Sequence, residues 1–567
     1  MNTKIKTTIA LMFAFAISKA QTPIMIPDTL SGTSINLTLK DSSHQFYSGV
    51  NTATYGYNGS LLGPTIILNQ GQQVTLNVKN QLNDTTTTHW HGLHVSPAND
   101  GSPHNMIMSG DTWSPSFTVL DKAATYWYHP HLHMKTMKQV LKGASGLIIV
   151  RDAEEAALLL PRSYGIDDFP LVCQWKTFDA NTKQIVMDDE LDNATMVNGN
   201  LNGYLNVPAQ MVRLRLLNGS SHRFFNFSLN DGRIFKQIAG DESLLDAPVS
   251  MTSLTLAPGE RAEIIVDFSG QVGKSFYLRQ LGTKLPAGYP GGPPDQMGMG
   301  GQAGPLDNKD FNLLEFRVTA ATASAITALP GKLTTNTIAS AIGATTMTFL
   351  LQGSPMMSMT NFTINGGQYD ESKINFTTEK EGVMVWDITN RSMMPHPWHI
   401  HGNHFYIQSI NGAAPPANMK GRKDVVVVPP SNGTVKLIMK YADFADSKMP
   451  YMYHCHINSH EDKGMMGQFI VNSSIPTGIQ AVENNAFQLS IYPNPANEEW
   501  IVTGNNLEQL LKVKLTNALG QIVYETIIKP NQTGISLSVR AANLGSGIYF
   551  LQIASASNSQ TVKLIKN

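Results

Sequence analysis

Tyr453-His454-Cys455-His456-Ile457-Asn458-Ser459-His460-Glu461-Asp462-Lys463-Gly464-Met465 is the most informative stretch of this 567-residue chain. A thiolate between two imidazoles, followed by His460 and Met465, is a soft ligand set that favours copper over zinc. Neighbouring side chains of an extended segment point to opposite faces, so Cys455 can face one metal ion while the two flanking histidines face others. The alternative is a buried free cysteine among unrelated histidines.

Three further His-x-His pairs argue against that alternative. They are His89-Trp90-His91, His129-Pro130-His131 and His399-Ile400-His401, the last preceded by His396. With His454, His456 and His460, these clusters hold ten of the chain's 16 histidines. A zinc site needs only three or four ligands. Four His-x-His pairs therefore predict a multinuclear metal centre.

These four motifs, in this order, resemble those of the multicopper oxidases over roughly residues 25 to 473. The wording Tyr126-Trp-Tyr-His-Pro-His-Leu-His133 and His460-Glu-Asp-Lys-Gly-Met-Met466 is most similar to the bacterial copper-efflux oxidase and laccase branch. The resemblance implies an all-β chain with three cupredoxin-like Greek-key β-sandwich domains. It also implies four copper ions: one type 1, one type 2 and two type 3.

The resemblance assigns the ligands by motif position. For type 1 copper it implies His396, Cys455, His460 and the axial Met465; for type 2 copper, His89 and His399; for the type 3 pair, His91, His129, His131, His401, His454 and His456. Electrons would enter at type 1 copper. They would pass through Cys455 to His454 and His456, and so to a trinuclear cluster between the first and third domains.

The implied activity is a copper-dependent oxidoreductase with molecular oxygen as acceptor. Four one-electron oxidations of a donor would reduce one dioxygen to two waters. Supplying protons to that reaction suits carboxylates of perturbed acidity. Asp100 and Glu461 resemble the acidic positions that handle protons in this branch, although ordinary turn or surface roles are the alternative.

The electron donor is less well defined. Family members that oxidise cuprous ion carry a long methionine-rich insertion before the third copper motif and an acidic residue where this chain has Ser392. These departures favour a laccase-like activity on phenols or aromatic amines. Cuprous oxidation in copper tolerance is the alternative, because five methionines flank the type 1 ligands in sequence: Met393, Met394, Met449, Met452 and Met466.

Two rivals come from other classes. A copper nitrite reductase would share the sandwich repeats but would not need a cysteine flanked by histidines and three more His-x-His pairs. A non-catalytic scaffold or copper-storage protein of the same fold could lose ligands freely. Here all ten histidines, Cys455 and Met465 are present.

Composition limits the other possibilities. The formal net charge is -1, so no long-range field indicates nucleic acid or a membrane surface as partner. Of two cysteines, Cys455 would hold metal, which leaves no partner for an intrachain disulfide. Cys173 lies in Phe169–Trp175, which is typical of a buried strand, so we expect an inert core thiol.

The domain organisation follows from repeated patterns. Val74–Asn80, Val212–Asn218 and Met384–Asn390 each alternate apolar and polar residues, which predicts three half-buried strands in three copies of one sandwich. The predicted domains are 21–152, 153–320 and 321–472. The middle domain has no ligand cluster, and its His222 is expected to be structural. It would be a metal-free spacer that holds the outer domains together.

The two ends of the chain predict export. Residues 1–20 have a basic start, a short apolar run and small residues before Gln21, as in a secretory signal peptide. After a polar linker, 473–486, residues 487–567 resemble the C-terminal sorting domain of the type IX secretion system of Bacteroidetes, a small β-sandwich. An adhesive or carbohydrate-binding module is the alternative. The protein would be secreted or bound at the cell surface after transit through the periplasm, with the secretion machinery as partner and no membrane span.

Other features beside the motifs have plainer expectations. His94, His133 and His404 follow ligand pairs closely, and we expect them to support the site or face solvent rather than bind the catalytic metals. The glycine- and proline-rich segment 287–304 predicts a surface loop, with a lid over the metal centre as the alternative.

Overall fold

Strands form nearly all of the regular structure in the part of the chain that the computed structural model describes, which is residues 21–187, 191–294, 304–353, 362–473, 488–505, 511–529, 535–555 and 559–567. The expected signal peptide, nearly all of the expected linker and half of the glycine- and proline-rich segment 287–304 lie outside these residues. The chain divides into two compact units, Met1–Ser473 and Ser474–Asn567.

The first part of the larger unit contains eleven strands and one α-helix. They are β1 (Thr22–Pro23), β2 (Thr29–Leu30), β3 (Ser34–Tyr47), β4 (Val50–Tyr57), β5 (Thr65–Asn69), β6 (Gln73–Gln81), β7 (His89–His91), β8 (Thr112–Trp113), β9 (Ser116–Thr118), β10 (Ala124–His129), α1 (Thr136–Leu141) and β11 (Gly146–Arg151).

The middle part, among its described residues, has eleven further strands after a short helix. They are α2 (Ala153–Ala156), β12 (Asp168–Lys176), β13 (Ala194–Val197), β14 (Gly203–Pro208), β15 (Met211–Asn218), β16 (Phe225–Leu229), β17 (Phe235–Ala239), β18 (Leu244–Met251), β19 (Ser253–Leu256), β20 (Arg261–Asp267), β21 (Ser275–Leu281) and β22 (Asp310–Thr319).

The third part completes the larger unit. Its elements are β23 (Thr345–Gln352), β24 (Thr363–Ile364), β25 (Phe376–Glu379), β26 (Val383–Asn390), β27 (His396–Ile400), β28 (Tyr406–Ile410), β29 (Val425–Val428), β30 (Gly433–Lys440), β31 (Asp446–Cys455), α3 (Asn458–Asp462) and β32 (Met466–Asn472). Single 3-10 turns occur at Pro97–Asn99, Gly282–Lys284 and Ala417–Met419.

Each of the three parts is a sandwich of two sheets around its own apolar core. The three predicted strands form β6, β15 and β26, and each pairs in parallel with an earlier strand of its own sandwich: β3, β12 and β23 respectively. The repeat in the sequence is therefore a repeat of topology. Strand β1 is an exception to the sequence division, because it pairs with β14 in the middle sandwich.

The expected half-buried character is wrong for β15. Seven of its eight residues are buried, including Arg213 and Arg215, both 1% exposed. Buried charges need partners, and here the two guanidinium groups pair with the carboxylates of Glu263 and Asp168. A polar residue in an alternating pattern signals solvent only where no neighbouring segment covers that face.

The first and third sandwiches each bring two histidine pairs side by side. In the first, β7 and β10 are antiparallel neighbours, and His89 lies opposite His129. In the third, β27 and β31 are antiparallel neighbours, and His399 lies opposite His454. In each of these two sandwiches, the pairing of neighbouring strands thus places two His-x-His pairs side by side.

The smaller unit has its own core around the buried Trp500. Its strands are β33 (Gln488–Tyr492), β34 (Glu499–Asn505), β35 (Leu511–Asn517), β36 (Ile522–Ile528), β37 (Ile535–Arg540), β38 (Gly547–Ala554) and β39 (Ser559–Lys566). They form a three-stranded sheet, β33-β34-β37, and a four-stranded sheet, β36-β35-β38-β39.

Candidate metal centre

One cluster lies inside the core of the third sandwich and joins His396, Cys455 and His460. The Cys455 Sγ lies 3.4 Å from His396 Nδ1 and 3.6 Å from His460 Nδ1, and the two nitrogens are 3.3 Å apart. Donors about 2.0 to 2.3 Å from one ion in tetrahedral geometry lie about 3.3 to 3.6 Å apart. The three atoms therefore fit a single metal ion.

Neighbouring groups fix these ligands. Ser392 Oγ lies 2.7 Å from His396 Nε2, the nitrogen that faces away from the cluster. Phe362 stacks on the His460 ring with the ring centres 3.8 Å apart. Met465 is fully buried, and its carbonyl accepts a hydrogen bond from the Cys455 amide. Fixed second nitrogens orient imidazole ligands.

Eight more histidines meet where the first sandwich faces the third. One set joins His91 Nδ1 with His129 Nε2 at 3.4 Å and with His456 Nε2 at 3.2 Å. A second set joins His454 Nε2 with His131 Nε2 at 3.0 Å and with His401 Nε2 at 3.2 Å. Each set holds three imidazoles and fits one ion.

A third pair of nitrogens completes this group. His89 Nε2 and His399 Nε2 lie 3.5 Å apart. Their Nδ1 atoms lie 2.8 Å and 2.9 Å from the backbone carbonyl oxygens of Asp100 and Asp424, to which each ring can donate. Because each Nδ1 carries the hydrogen that is donated to a carbonyl, each Nε2 keeps a free lone pair that can bind a metal.

Strand alternation connects the two groups. Cys455 is buried in the core of the third sandwich, whereas His454 and His456 reach the histidines of the first sandwich. The two residues next to Cys455 in the chain, His454 and His456, thus belong to two different imidazole sets.

The predicted carboxylates contact this group directly. Asp100 Oδ2 lies 2.7 Å from His401 Nδ1. Glu461 lies 3.3 Å from His131 Nδ1 through one oxygen and 3.3 Å from His454 Nδ1 through the other. Both residues are fully buried, and burial raises the pKa of each carboxyl well above its usual range.

Sequence reasoning missed a third carboxylate, Asp424. Its Oδ1 lies 3.2 Å from His91 Nε2, and its carboxylate pairs with Arg261 of the middle sandwich, whose Nη1 donates at 2.6 Å. The signal available was a single acidic residue directly before the buried run Val425–Val428. The middle sandwich is therefore more than the spacer predicted for it, because Arg261 supports the imidazole set.

Two glycines allow the close packing. Gly101 has φ +78°, and a Cβ there would lie 1.8 Å from the Thr88 carbonyl oxygen. Gly259, with φ +85°, lies against the His456 ring, where a Cβ would approach to 2.8 Å. Left-handed backbone and absence of a side chain are both required at these positions.

Electrostatics suit metal binding. Burial lowers the pKa of His396 and His129 to about 3 and that of His454 to about 4, so these imidazoles are neutral and keep a free donor nitrogen. Burial raises the pKa of Cys455, so its thiolate requires a positive partner. A coordinated cation supplies that charge.

Helix α3 links the two groups to the first sandwich. His460 faces the cysteine cluster, Glu461 faces the imidazole sets, and the Asp462 carboxylate accepts hydrogen bonds from the Thr136 and Met137 amides at the start of α1. At the other end of α1, Lys176 Nζ of the middle sandwich donates to the Leu141 carbonyl at 2.7 Å. Side chains of two other sandwiches thus cap both ends of α1.

The remaining candidates lie outside the metal clusters. His94, His133 and His404 join none of these groups within the described residues. His222 lies beside the cysteine cluster, its ring centre 6.1 Å from that of His460. Cys173 is buried in β12, and both cysteines are free.

Three cupredoxin-like sandwiches with one cysteine cluster and eight converging histidines define a class of multinuclear copper proteins. Multicopper oxidase profiles match residues 38–155, 174–291 and 344–474. A profile for the secretion system C-terminal sorting domain matches residues 490–567. The chain belongs to the multicopper oxidase family and carries a C-terminal sorting domain, which indicates secretion or display at the cell surface.

Similar proteins carry different names. The multicopper oxidase mco of Staphylococcus haemolyticus is 33% identical over 77% of this chain and 89% of its own length. The cell division protein FtsP of Escherichia coli is 30% identical over 80% of this chain and 93% of its own length. The structure of the laccase-like multicopper oxidase CueO from Ochrobactrum sp., described as active towards lignin model compounds and lignosulfonate, has a TM-score of 0.70 at 32% identity and covers 79% of this chain and 100% of its own.

No helix among the described residues has the length and apolar character needed to cross a membrane.

Proposed function

We propose that the chain is a laccase-like oxidase that holds four copper ions and reduces dioxygen to water with electrons from small phenols or aromatic amines. When bound, copper supplies reversible one-electron chemistry and the binding of dioxygen. The proposed type 1 ligands are His396, Cys455, His460 and Met465. The convergence of one thiolate and ten imidazoles at metal-ligand spacing carries the proposal.

The other ligands are assigned by the imidazole sets. The type 2 ligands are His89 and His399. The type 3 ligands are His91, His129 and His456 for one ion and His131, His401 and His454 for the other. Cys455 conducts electrons, because its peptide bonds to His454 and His456 give the shortest covalent route between the two groups.

Asp100 and Glu461 have two proposed roles. Asp100 accepts a hydrogen bond from His401 Nδ1 and so holds that ring with Nε2 towards the metal. The Glu461 carboxyl group lies 3.3 Å from His131 Nδ1 and 3.3 Å from His454 Nδ1, beside both rings. Each is also a buried carboxyl that favours the protonated state, which suits it to hold a proton close to the place where oxygen is reduced.

Three observations support our proposal of phenols rather than cuprous ion as donors. Ser392, which replaces the family's acidic residue, turns inward to His396. Of the five methionines that flank the type 1 ligands in sequence, Met452 and Met466 are buried and pack in the core, whereas Met393, Met394 and Met449 are partly buried. The activity described for the Ochrobactrum relative points to the same donor class.

The scaffold alternative remains relevant because FtsP proteins, named for cell division, are similar over most of this chain. Against a scaffold, every proposed ligand is present and fully or almost fully buried. Against a nitrite reductase, three complete imidazole sites accompany the cysteine cluster.

We further propose export by a signal peptide at residues 1–20 and the type IX secretion system, which implies an origin in Bacteroidetes.

Oxygen uptake tests the proposal. We expect copper-replete protein to be intensely blue and to consume oxygen with a methoxyphenol in the absence of added cupric ion. A parallel assay with cuprous ion tests the alternative donor. Phenol oxidation that depends strictly on added copper would contradict the laccase-like proposal. A colourless, inactive protein with copper fully supplied would favour the scaffold.

A further inference from the structure

A second group of metal-ligating side chains surrounds a cavity of about 370 Å³ where the three sandwiches meet. The first sandwich contributes His94 and Asp121, the middle one contributes Glu242, and the third contributes His404 and Asp443. Neither histidine is among the ten of the candidate metal centre. We name these five residues the junction cluster.

We propose that the junction cluster binds one divalent transition-metal ion, such as Zn²⁺ or Cu²⁺, through His94, His404, Asp443 and Glu242. Two imidazoles and two carboxylates are a ligand set that such borderline ions take. The proposal is independent of the donor and of the oxygen chemistry proposed above.

The ligand atoms already lie in pairs. His94 Nε2 is 2.8 Å from Asp443 Oδ2, and His404 Nδ1 is 4.0 Å from Glu242 Oε2. Donor atoms in the candidate metal centre lie 3.0 to 3.6 Å apart, so the His404 and Glu242 side chains must draw closer together for both pairs to bind one ion. Both pairs line the same cavity.

Buried polar atoms of the cluster have no hydrogen-bond partner among the described residues. They are His94 Nδ1, Asp121 Oδ2 and Glu242 Oε1. Asp121 and Glu242 are 5% and 3% exposed, and both line the cavity. Buried polar atoms are nearly always satisfied. A cation, with water bound to it, satisfies oxygens and imidazole nitrogens together.

The positive groups of the lining leave room for a cation. The cavity is lined by three carboxyl groups and by Arg422, Lys122 and Lys440. Both lysines are already paired, Lys122 with Glu154 and Lys440 with Glu381. Arg422 is then the one remaining cation of the described lining, and an ion bound here would displace the proton of a buried carboxyl group. Burial lowers the pKa of His404, so its imidazole is a neutral ligand.

An ion bound by the junction cluster would link the three sandwiches to one another. His94 follows His91 by three residues, and His404 follows His401 by three. Glu242 shares a hydrogen bond with Asp424, which contacts His91. Binding at the junction cluster would therefore stabilise the domain arrangement on which the candidate metal centre depends.

Calorimetric titration of the copper-replete protein with Zn²⁺ tests the proposal. We expect one equivalent of Zn²⁺ to bind beyond the resident copper. His94→Gln and His404→Gln should each weaken that binding at least about tenfold, because even loss of an indirect contact to a metal costs about that much. His44→Gln, which changes a histidine in edge-to-face contact with Phe46 in β3, is the control and should bind as the wild type does. No extra equivalent in the wild type, or unchanged binding in both variants, would overturn the proposal.

Asp443→Asn gives a test that does not depend on a buried substitution, because this side chain is 49% exposed. Saturating Zn²⁺ should raise the Tm of the wild type, since a ligand that binds only the folded state stabilises it. The rise should be absent or much smaller in Asp443→Asn, while the blue absorption of both proteins shows that the cysteine cluster is intact. An equal rise in the two proteins would refute the site.

Discussion

Asp424 and His91 form a contact of 3.2 Å between a carboxylate oxygen of the third sandwich and the outward nitrogen of an imidazole in the first. Arg261 of the middle sandwich holds the same carboxylate. One buried side chain thus joins all three sandwiches at the imidazole sets. Through this side chain the middle sandwich is connected to a centre to which it gives no imidazole ligand.

Asp424→Asn tests this junction. We expect at least a tenfold loss of oxygen reduction and less copper bound at the imidazole sets, because a contact that orients a metal-bound imidazole is weakened and Arg261 loses its charge partner. The blue absorption of the cysteine cluster should persist. Copper content and oxygen uptake are the measurements. Asp387→Asn, at the exposed ion pair with Lys436, is the matched control and should change neither.

Cys455→Ser should abolish both the blue absorption and turnover, because a hydroxyl does not replace the thiolate as ligand and electron conductor. The histidines of the first sandwich keep their geometry, so we expect copper to remain bound there. Absorption, copper content and oxygen uptake are measured together. Cys173→Ala should stay blue and active at a stability cost of about 1 kcal/mol for a small buried truncation. Turnover by the Cys455→Ser protein would contradict the electron route.

Glu461→Gln should slow oxygen reduction by about 100-fold or more, the usual loss when a positioned proton donor is removed. The amide keeps a polar group beside His131 and His454, so copper content should change little. Glu461→Asp, which shortens the side chain but keeps the acid, should recover part of the rate. Rapid mixing of the reduced protein with oxygen isolates this step. Equal reoxidation rates in the wild type and Glu461→Gln would rule out the proton role.

Lys176 predicts a pH-dependent stability. Burial lowers the pKa of this amine to about 7 in the folded protein, against about 10.4 in the unfolded chain. Between pH 7 and about pH 10.4 the unfolded state binds more protons at this amine than the folded state does. The free energy of unfolding therefore rises with pH by up to about 1.4 kcal/mol per pH unit in this range, and this contribution is lost as the pH falls towards 7.

Lys176→Met removes that titration while keeping a long side chain. We expect the difference in Tm, wild type minus variant, to increase from pH 7 to pH 10. Lys122→Met, at an exposed ion pair, is the control, and its difference should stay nearly constant. A Tm difference for Lys176→Met that does not change with pH would show that this amine keeps an ordinary pKa.

The metal ligands could be predicted from the sequence, but the residues that surround them could not. The His-x-His pairs are recognisable because residues two positions apart lie on the same face of a strand. Asp424 and Arg261 have no such spacing, and their meeting depends on how separate sandwiches pack. The same reason explains the error at β15, where coverage by neighbouring segments turned Arg213 and Arg215 into buried ion-pair partners.

The alternation of apolar and polar residues predicted one strand in each of the three sandwiches, and these strands are β6, β15 and β26. The pairing of Thr22–Pro23 with the middle sandwich did not follow, because a two-residue strand has no periodicity to detect. Ser392 shows a different limit. The sequence marked it as a departure from the family, but only the structure shows that its hydroxyl supports His396.

Helix α3 commits three consecutive residues to three different neighbours. Successive side chains of a helix are about 100° apart, so one orientation of the helix sets the directions of His460, Glu461 and Asp462 together. A single inserted or deleted residue here would turn all three away at once. We therefore expect a single substitution in this turn to impair one contact and a change in length to impair all three, which makes the turn a poor place to insert a loop.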